Sequence, residues 1–184
     1  AGAGFFSAYR IVDRDPRIPK GSVGFITVCS ITMDGVFQRN GIPVRMAYGG
    51  RLAIQDRVPV EFVDLIGYRG TTVDPLHLFI SAGLTSIHQM ATTGSGIAVA
   101  NVREVPTASR DRVEEIAAAL RNWGFVLPVA MGNRVLNLNC DPFHLSIVAF
   151  SGMNLIGNGI EHGCRVQTEI GAGTIPFSRV VDAR

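Results

Sequence analysis

Tyr68-Arg69-Gly70-Thr71-Thr72-Val73-Asp74-Pro75 runs directly into Leu76-His77-Leu78-Phe79-Ile80-Ser81-Ala82-Gly83-Leu84-Thr85-Ser86-Ile87. Asp74 suits a helix N-cap and Pro75 the first helical position, while the hydroxyls of Thr71 and Thr72 sit just outside. Leu76, Phe79, Ile80, Gly83, Leu84, Ile87 and Met90 recur at the spacing of one helix face, which predicts an amphipathic helix from Asp74 to near Gly94. A helix opening there aims free backbone N–H groups beyond Gly70, a natural place for a carboxylate or phosphate. The same signals also serve a capped core helix that binds nothing.

Working outward, Val58 to Tyr68 reads as a strand, and Ile42 to Tyr48 with Arg51 to Ile54 flank Gly49-Gly50, a hairpin signal. Val23 to Cys29 is an apolar run of strand length, followed by a short helical stretch that stops at Asn40-Gly41. Downstream, Ile97 to Val105 reads as a strand. After Pro106 a second helix carries Val113, Ile116, Ala117, Leu120 and Trp123 inward until Gly124. Phe125 to Ala130, Val135 to Leu138 and Leu145 to Phe150 are further strand candidates. This alternation predicts an α/β domain with a mixed sheet. Residues 1–20, with Pro16 and Pro19 among Arg10, Arg14, Arg17 and Lys20, read as a connector, and 21–184 as one regulatory or effector-binding domain.

Laying Val23–Val58 over Leu145–Val180 without a gap aligns Gly35 with Gly157, Gly41 with Gly163, Val44 with Val166 and Gly49 with Gly171. Thr32 and Asn154 fall on one register, each suited to an N-cap. The shared pattern predicts an internal β-α-β duplication.

With 47% hydrophobic and 17% charged residues in 184, the chain can bury one sizeable core and has little capacity for long disorder. No apolar run is long enough to cross a bilayer, and Ala1 to Tyr9 is too short and too poor in charge for a signal peptide. A cytoplasmic domain is expected, and the start at Ala1 suggests a piece of a longer protein. Three cysteines, Cys29, Cys140 and Cys164, at irregular spacing argue for a reducing compartment over a disulfide framework. The net charge of +2 shows no dense basic stripe, so this piece is not an obvious nucleic-acid binder.

Cys29 lies at a strand end before a helix, where a thiol can be activated, yet none of His77, His88, His144 and His162 stands at a recognised spacing from it. A packing thiol and a Cys-dependent enzyme are both compatible with that. Cys140-x3-His144 and His162-x-Cys164 are looser than zinc-ligand pairs, and no metal or cofactor is expected. What remains is a set of hydroxyl-rich, helix-opening turns: Cys29, Ser30 and Thr32; Thr71, Thr72 and Asp74; Thr85 and Ser86; Gly152 and Asn154. Together, with Arg103 or Arg45 for charge, they suit hydrogen bonding of a small anion without covalent chemistry.

The segments VGFITVCSITMDG at 23–35, FVDLI at 62–66, GTTVDPL at 70–76, FISAGLTS at 79–86, VREVP at 102–106 and FSGMN at 150–154 resemble the regulatory domain of the archaeal nitrogen repressor family, NrpR. The resemblance implies a domain that binds 2-oxoglutarate and mediates homodimerisation. The repressor would hold operators of nitrogen-assimilation genes through a separate N-terminal winged helix and release them when the effector binds. The resemblance supplies 2-oxoglutarate as the occupant; the residues expected to hold it are the hydroxyl turns and Arg103 read from the sequence. A dimerisation scaffold without a ligand of its own and a small enzyme using Cys29 are the other readings that the residues leave open.

Overall fold

Strand and helix alternate as the sequence predicts. The computed structural model describes residues 8–168 and 176–182. Their elements run β1 (Ala8–Val12), β2 (Gly24–Ile26), α1 (Ile31–Arg39), β3 (Arg45–Gln55), β4 (Val58–Gly67), α2 (Pro75–Ser81), α3 (Ile87–Thr93), β5 (Gly96–Pro106), α4 (Arg110–Asn122), β6 (Ala130–Gly132), β7 (Arg134–Val135), β8 (Leu138–Asn139), β9 (His144–Phe150), α5 (Met153–Glu161) and β10 (Val181–Asp182).

Five strands form the central sheet in the order β4-β3-β5-β9-β6, and each ladder is antiparallel. The parallel relationships that β-α-β alternation implies do exist, but between next-but-one strands. β4 and β5 run the same way with β3 inserted between them, and β5 and β6 do so with β9 inserted. Ala8–Val12, inside the stretch expected as a connector, pairs with β2 and β10 in a small separate sheet.

Successive residues of β5 point to opposite faces. On one face Val105, with Leu145, Ile147 and Ala149 of β9, packs against Met33 and Phe37 of α1 and Val113, Ile116 and Ala117 of α4. Val99 on the same face meets Leu76, Phe79 and Ile80 of α2 and Met153 of α5. On the opposite face Ala98, Ala100 and Val102 join Leu52, Phe62 and Val148 under Val135, Leu136 and Leu138 of the β7–β8 hairpin. Both faces are therefore covered, which is why β5 is apolar at nearly every position.

Three local expectations are corrected. Gly49-Gly50 is not a turn, because β3 runs straight through it and the chain reverses at Asp56 and Arg57, with φ of 50° and 67°. The two glycines answer to close packing instead: a Cβ on Gly49 would lie 2.9 Å from Leu76 Cδ2, and one on Gly50 would lie 2.6 Å from the Asp64 carbonyl oxygen. The helix opened by Asp74 ends at Ser81, and α3 is separate. Gly83, at φ 67°, donates to the Ile80 carbonyl while Leu84 donates to that of Phe79, a left-handed stop that an amphipathic pattern alone does not reveal. Trp123 is 59% exposed at the end of α4.

The duplication reappears in the backbone. The offset that aligns Val23–Val58 with Leu145–Val180 carries α1 onto α5 from end to end, and Gly41 onto Gly163, both at φ 76°. The N-caps are Ser30 and Gly152, two residues before Thr32 and Asn154. The counterpart of Ile42 to Tyr48, expected as the strand closing the second copy, falls on 164–170; residues 164–168 form no strand, and 169 and 170 lie outside the described residues.

Candidate functional site

Asn101 and Arg103 share the helix-covered face of β5 with Val99 and Val105, and are 3% and 1% exposed. Polar groups buried this deeply need partners, and the helix N-termini supply most of them. Asn101 Nδ2 donates to Ser30 Oγ at 3.0 Å, and Asn101 Oδ1 accepts from the Tyr68 hydroxyl at 2.8 Å. That hydroxyl also lies 3.3 Å from Asp74 Oδ1, the cap of α2, which accepts from the Leu76 N–H at 3.0 Å. Burial first, and then the Asp74 carboxylate, push the Tyr68 phenol above the ordinary tyrosine value. It therefore remains a donor at neutral pH, and the starts of α1 and α2 are joined through Asp74, Tyr68, Asn101 and Ser30.

Two residues further along β5, Arg103 Nε donates to both oxygens of Asp34 on α1, at 2.8 and 3.0 Å. Both bonds are made by the single Nε–H. Arg103 Nη1 is buried and has no hydrogen-bond partner among the described residues. A charged donor left so is costly, and it marks the spot where an anion would be stabilised most.

The surroundings favour the same charge. Ser30 and Gly152 adopt matching conformations (φ −59°, ψ −19° and φ −58°, ψ −20°), and neither caps its helix with a side chain. The two helix starts adjoin, since a Cβ on Gly152 would lie 3.2 Å from the Val28 carbonyl oxygen and 3.8 Å from Cys29 Cα. The starts of α1 and α5 thus adjoin, α5 opening at the Val99 end of this face, and Asp34 in the first turn of α1 is the carboxylate paired with Arg103.

The structure brings the sequence candidates together unequally. Cys29, Ser30, Asp74, Arg103 and Gly152 belong to this neighbourhood, and Thr32 is exposed in the first turn of α1. Thr72 is exposed on the approach to α2, while Thr71 Oγ1 donates to the Val73 carbonyl at 2.8 Å in a local turn. Asn154 is adjacent, but its amide donates to the Val99 carbonyl and accepts from the Val99 N–H, both at 2.8 Å, extending the ladder where β9 ends. Thr85 and Ser86 lie elsewhere. Ser86 Oγ accepts from the Ile97 N–H, six residues from Arg103 and so roughly 20 Å away along the strand.

Asp34, Tyr68 and Asn101 were not among the candidates. Their signal is polarity at alternating positions of an apolar strand, Asn101 and Arg103, which demands buried partners from other elements.

A family profile described as NrpR regulatory domains NRD1 and 2 matches residues 1–182. The chain belongs to this family. The chain is 36% identical over 179 residues to the global nitrogen regulator NrpRI of Methanosarcina mazei, covering 94% of this chain and 54% of that protein. To the global nitrogen regulator NrpR of Methanococcus maripaludis it is 32% identical over 151 residues, covering 81% of this chain and 28% of the other. It therefore spans about half of the first relative and less than a third of the second. The fold matches the crystal structure of a nitrogen repressor-like protein from Methanococcus jannaschii with a TM-score of 0.78 at 23% identity, covering 98% of this chain and 76% of that one.

Several of the remaining chemistry-bearing groups have local partners. Cys140 Sγ donates to the His144 carbonyl at 3.0 Å, and His144 Nδ1 pairs with Asp141 at 2.9 Å. His88 and His162 stack edge to face at 4.3 Å, and His77 is exposed on α2. Among the described residues no group of three or more His, Cys, Asp and Glu is placed to hold a metal, and no helix is long and apolar enough to cross a membrane.

Glu161, at the end of α5, caps α3 from outside, accepting from Thr85 Oγ1 at 2.7 Å and from the N–H groups of Ile87 and His88 at 2.9 and 2.7 Å. Burial works to raise its pKa, but the His88, Ile87 and Thr85 donors outweigh it and hold the carboxyl below its usual value. With the folded value lowered, the stabilisation is fully present above the unfolded value of 4.5 and fades as pH falls through the folded one. Glu161→Gln should therefore melt below the wild type at neutral pH, and differential scanning calorimetry should find the gap closing on acidification past that value. A gap independent of pH would contradict this assignment.

Proposed function

We propose that this chain is the effector-binding and dimerising regulatory domain of a repressor of nitrogen-assimilation genes, and that its effector is 2-oxoglutarate. In this reading the protein is cytoplasmic and does no covalent chemistry. A separate N-terminal winged helix holds the operator. The observation that carries the proposal is Arg103, buried with Nη1 unpartnered among the described residues and paired through Nε with Asp34 in the first turn of α1.

One carboxylate of the effector takes the free edge of the guanidinium and the second faces the hydroxyls of Thr32 and Thr72. Reaching a nitrogen so deeply buried requires α1 to shift against β5. The effector then binds the shifted arrangement better than the closed one, and that difference in affinity is what weakens operator binding. Names of the relatives as global nitrogen regulators support the coarse assignment.

Calorimetric titration of the domain tests the ligand. The expected result is saturable heat with 2-oxoglutarate, weaker binding of succinate and none of butyrate, because one carboxylate cannot satisfy both ends. Absence of heat and of any thermal shift at millimolar 2-oxoglutarate would count against the proposal. A dimer indifferent to every candidate metabolite would favour a scaffold.

A further inference from the structure

The other face of β5 carries a second polar row. Arg45, Glu104 and Ser146 are cross-strand neighbours on β3, β5 and β9, in a region of the sheet that is otherwise apolar. Glu104 is 6% exposed and Ser146 is 2% exposed. Glu104 Oε2 accepts from Arg45 Nη2. The second Glu104 oxygen and the Ser146 hydroxyl make no hydrogen bond among the described residues.

Both residues line a half-open pocket of about 220 Å³ between the sheet and the β7–β8 hairpin, walled by Tyr48, Leu65 and Leu138. Its roof is pinned in place: Asn137 Nδ2 donates to the Phe62 carbonyl and Asn137 Oδ1 accepts from the Phe62 N–H, both at 2.8 Å. The volume far exceeds the roughly 10–15 Å³ that one water needs. It falls short of the roughly 300 Å³ at which pockets for drug-sized ligands begin.

We propose that this cavity binds a free α-amino acid with an apolar side chain. The buried Glu104 carboxylate lines the pocket, and its ion-pair partner Arg45, with a side chain 63% exposed, sets a guanidinium next to it, so the pair offers one charge to each end of a zwitterion. The ammonium enters to Glu104 and the Ser146 hydroxyl. The carboxylate stays at the rim on Arg45, and the side chain lies against Tyr48, Leu65 and Leu138. This site is separate from the Arg103 neighbourhood, although Arg103 and Glu104 are consecutive on β5 and point to opposite faces.

L-leucine is the probe, titrated calorimetrically beside isopentylamine, which lacks the carboxylate, and N-acetyl-L-leucine, which lacks the ammonium. Leucine should bind saturably, and each analogue at least about tenfold more weakly, the loss expected for a charge-assisted pair. Glu104→Gln should weaken leucine by a similar factor. Should that variant fail to fold, Ser146→Ala, which leaves the ion pair intact, should still reduce leucine affinity severalfold. No saturable leucine binding at millimolar concentration, or equal binding of all three compounds, would overturn the proposal. So would a folded Glu104→Gln that binds leucine like the wild type. The dicarboxylate reading stands or falls separately, because Glu104→Gln should leave 2-oxoglutarate binding unchanged.

Discussion

Arg103→Met is expected to destabilise the domain by about 3–5 kcal/mol, read as a fall in the urea midpoint at constant slope. The substitution fills much of the volume of the arginine stem but leaves Asp34, 8% exposed, as a buried charge without its counter-ion. The stated range is that for breaking one side of a buried pair, and it comes from the stranded partner more than from the lost contact. Arg103→Met combined with Asp34→Leu should therefore recover most of the loss, since an apolar pair of similar size is often as stable as the ion pair it replaces. A double variant as unstable as the single would show that the guanidinium itself, and not the orphaned carboxylate, sets the cost.

Gly50→Ala should cost about 2–3 kcal/mol, the upper part of the range for overpacking a close-packed interior. The added methyl meets the Asp64 carbonyl oxygen at 2.6 Å, and Phe62 Cδ1 and Leu65 Cδ2 at 2.7 and 2.8 Å. The first of these is backbone in the neighbouring strand, which cannot turn aside as a side chain can. Gly35 supplies the contrast, because a Cβ there meets nothing within 4 Å on the exposed face of α1. Gly35→Ala should stabilise by up to about 1 kcal/mol through helix propensity alone. Equal effects at the two glycines would refute the packing explanation of Gly49-Gly50.

That pair of glycines also shows where the sequence stops being legible. Gly-Gly between two apolar segments has the composition of a hairpin turn, whereas its cause here is the approach of Leu76 on one face and Asp64 on the other, contacts made by residues far along the chain. The break at Gly83 was hidden for a related reason: Leu76 to Met90 keep a helical spacing across it, and only the stop geometry separates α2 from α3. Where the signal is local, sequence and structure agree. Asp74 and Pro75 open a helix as their chemistry requires, and the paired glycine stops of α1 and α5 fall on the predicted duplication.

The candidate site divides in the same way. Ser30, Asp74, Arg103 and Gly152 could be picked out as helix starts and a strand-borne cation, but Asp34, Tyr68 and Asn101 depend on which faces meet. Tyr68 is a strand-end tyrosine by sequence and becomes the link between two helix starts only because β4 and β5 both flank β3. Thr85 and Ser86 looked equivalent to the other hydroxyl turns, yet their hydroxyls serve the α3 cap and the start of β5.

The central claim is that the free edge of Arg103 receives a carboxylate of the effector. Titrating wild type and Arg103→Lys with 2-oxoglutarate in a calorimeter tests it most directly. Lysine keeps a cation opposite Asp34 and so the fold, but it has no second planar edge to offer. Affinity at least about tenfold weaker in a variant that still unfolds cooperatively is the predicted result. Unchanged affinity in Arg103→Lys would place the carboxylate elsewhere and contradict the account.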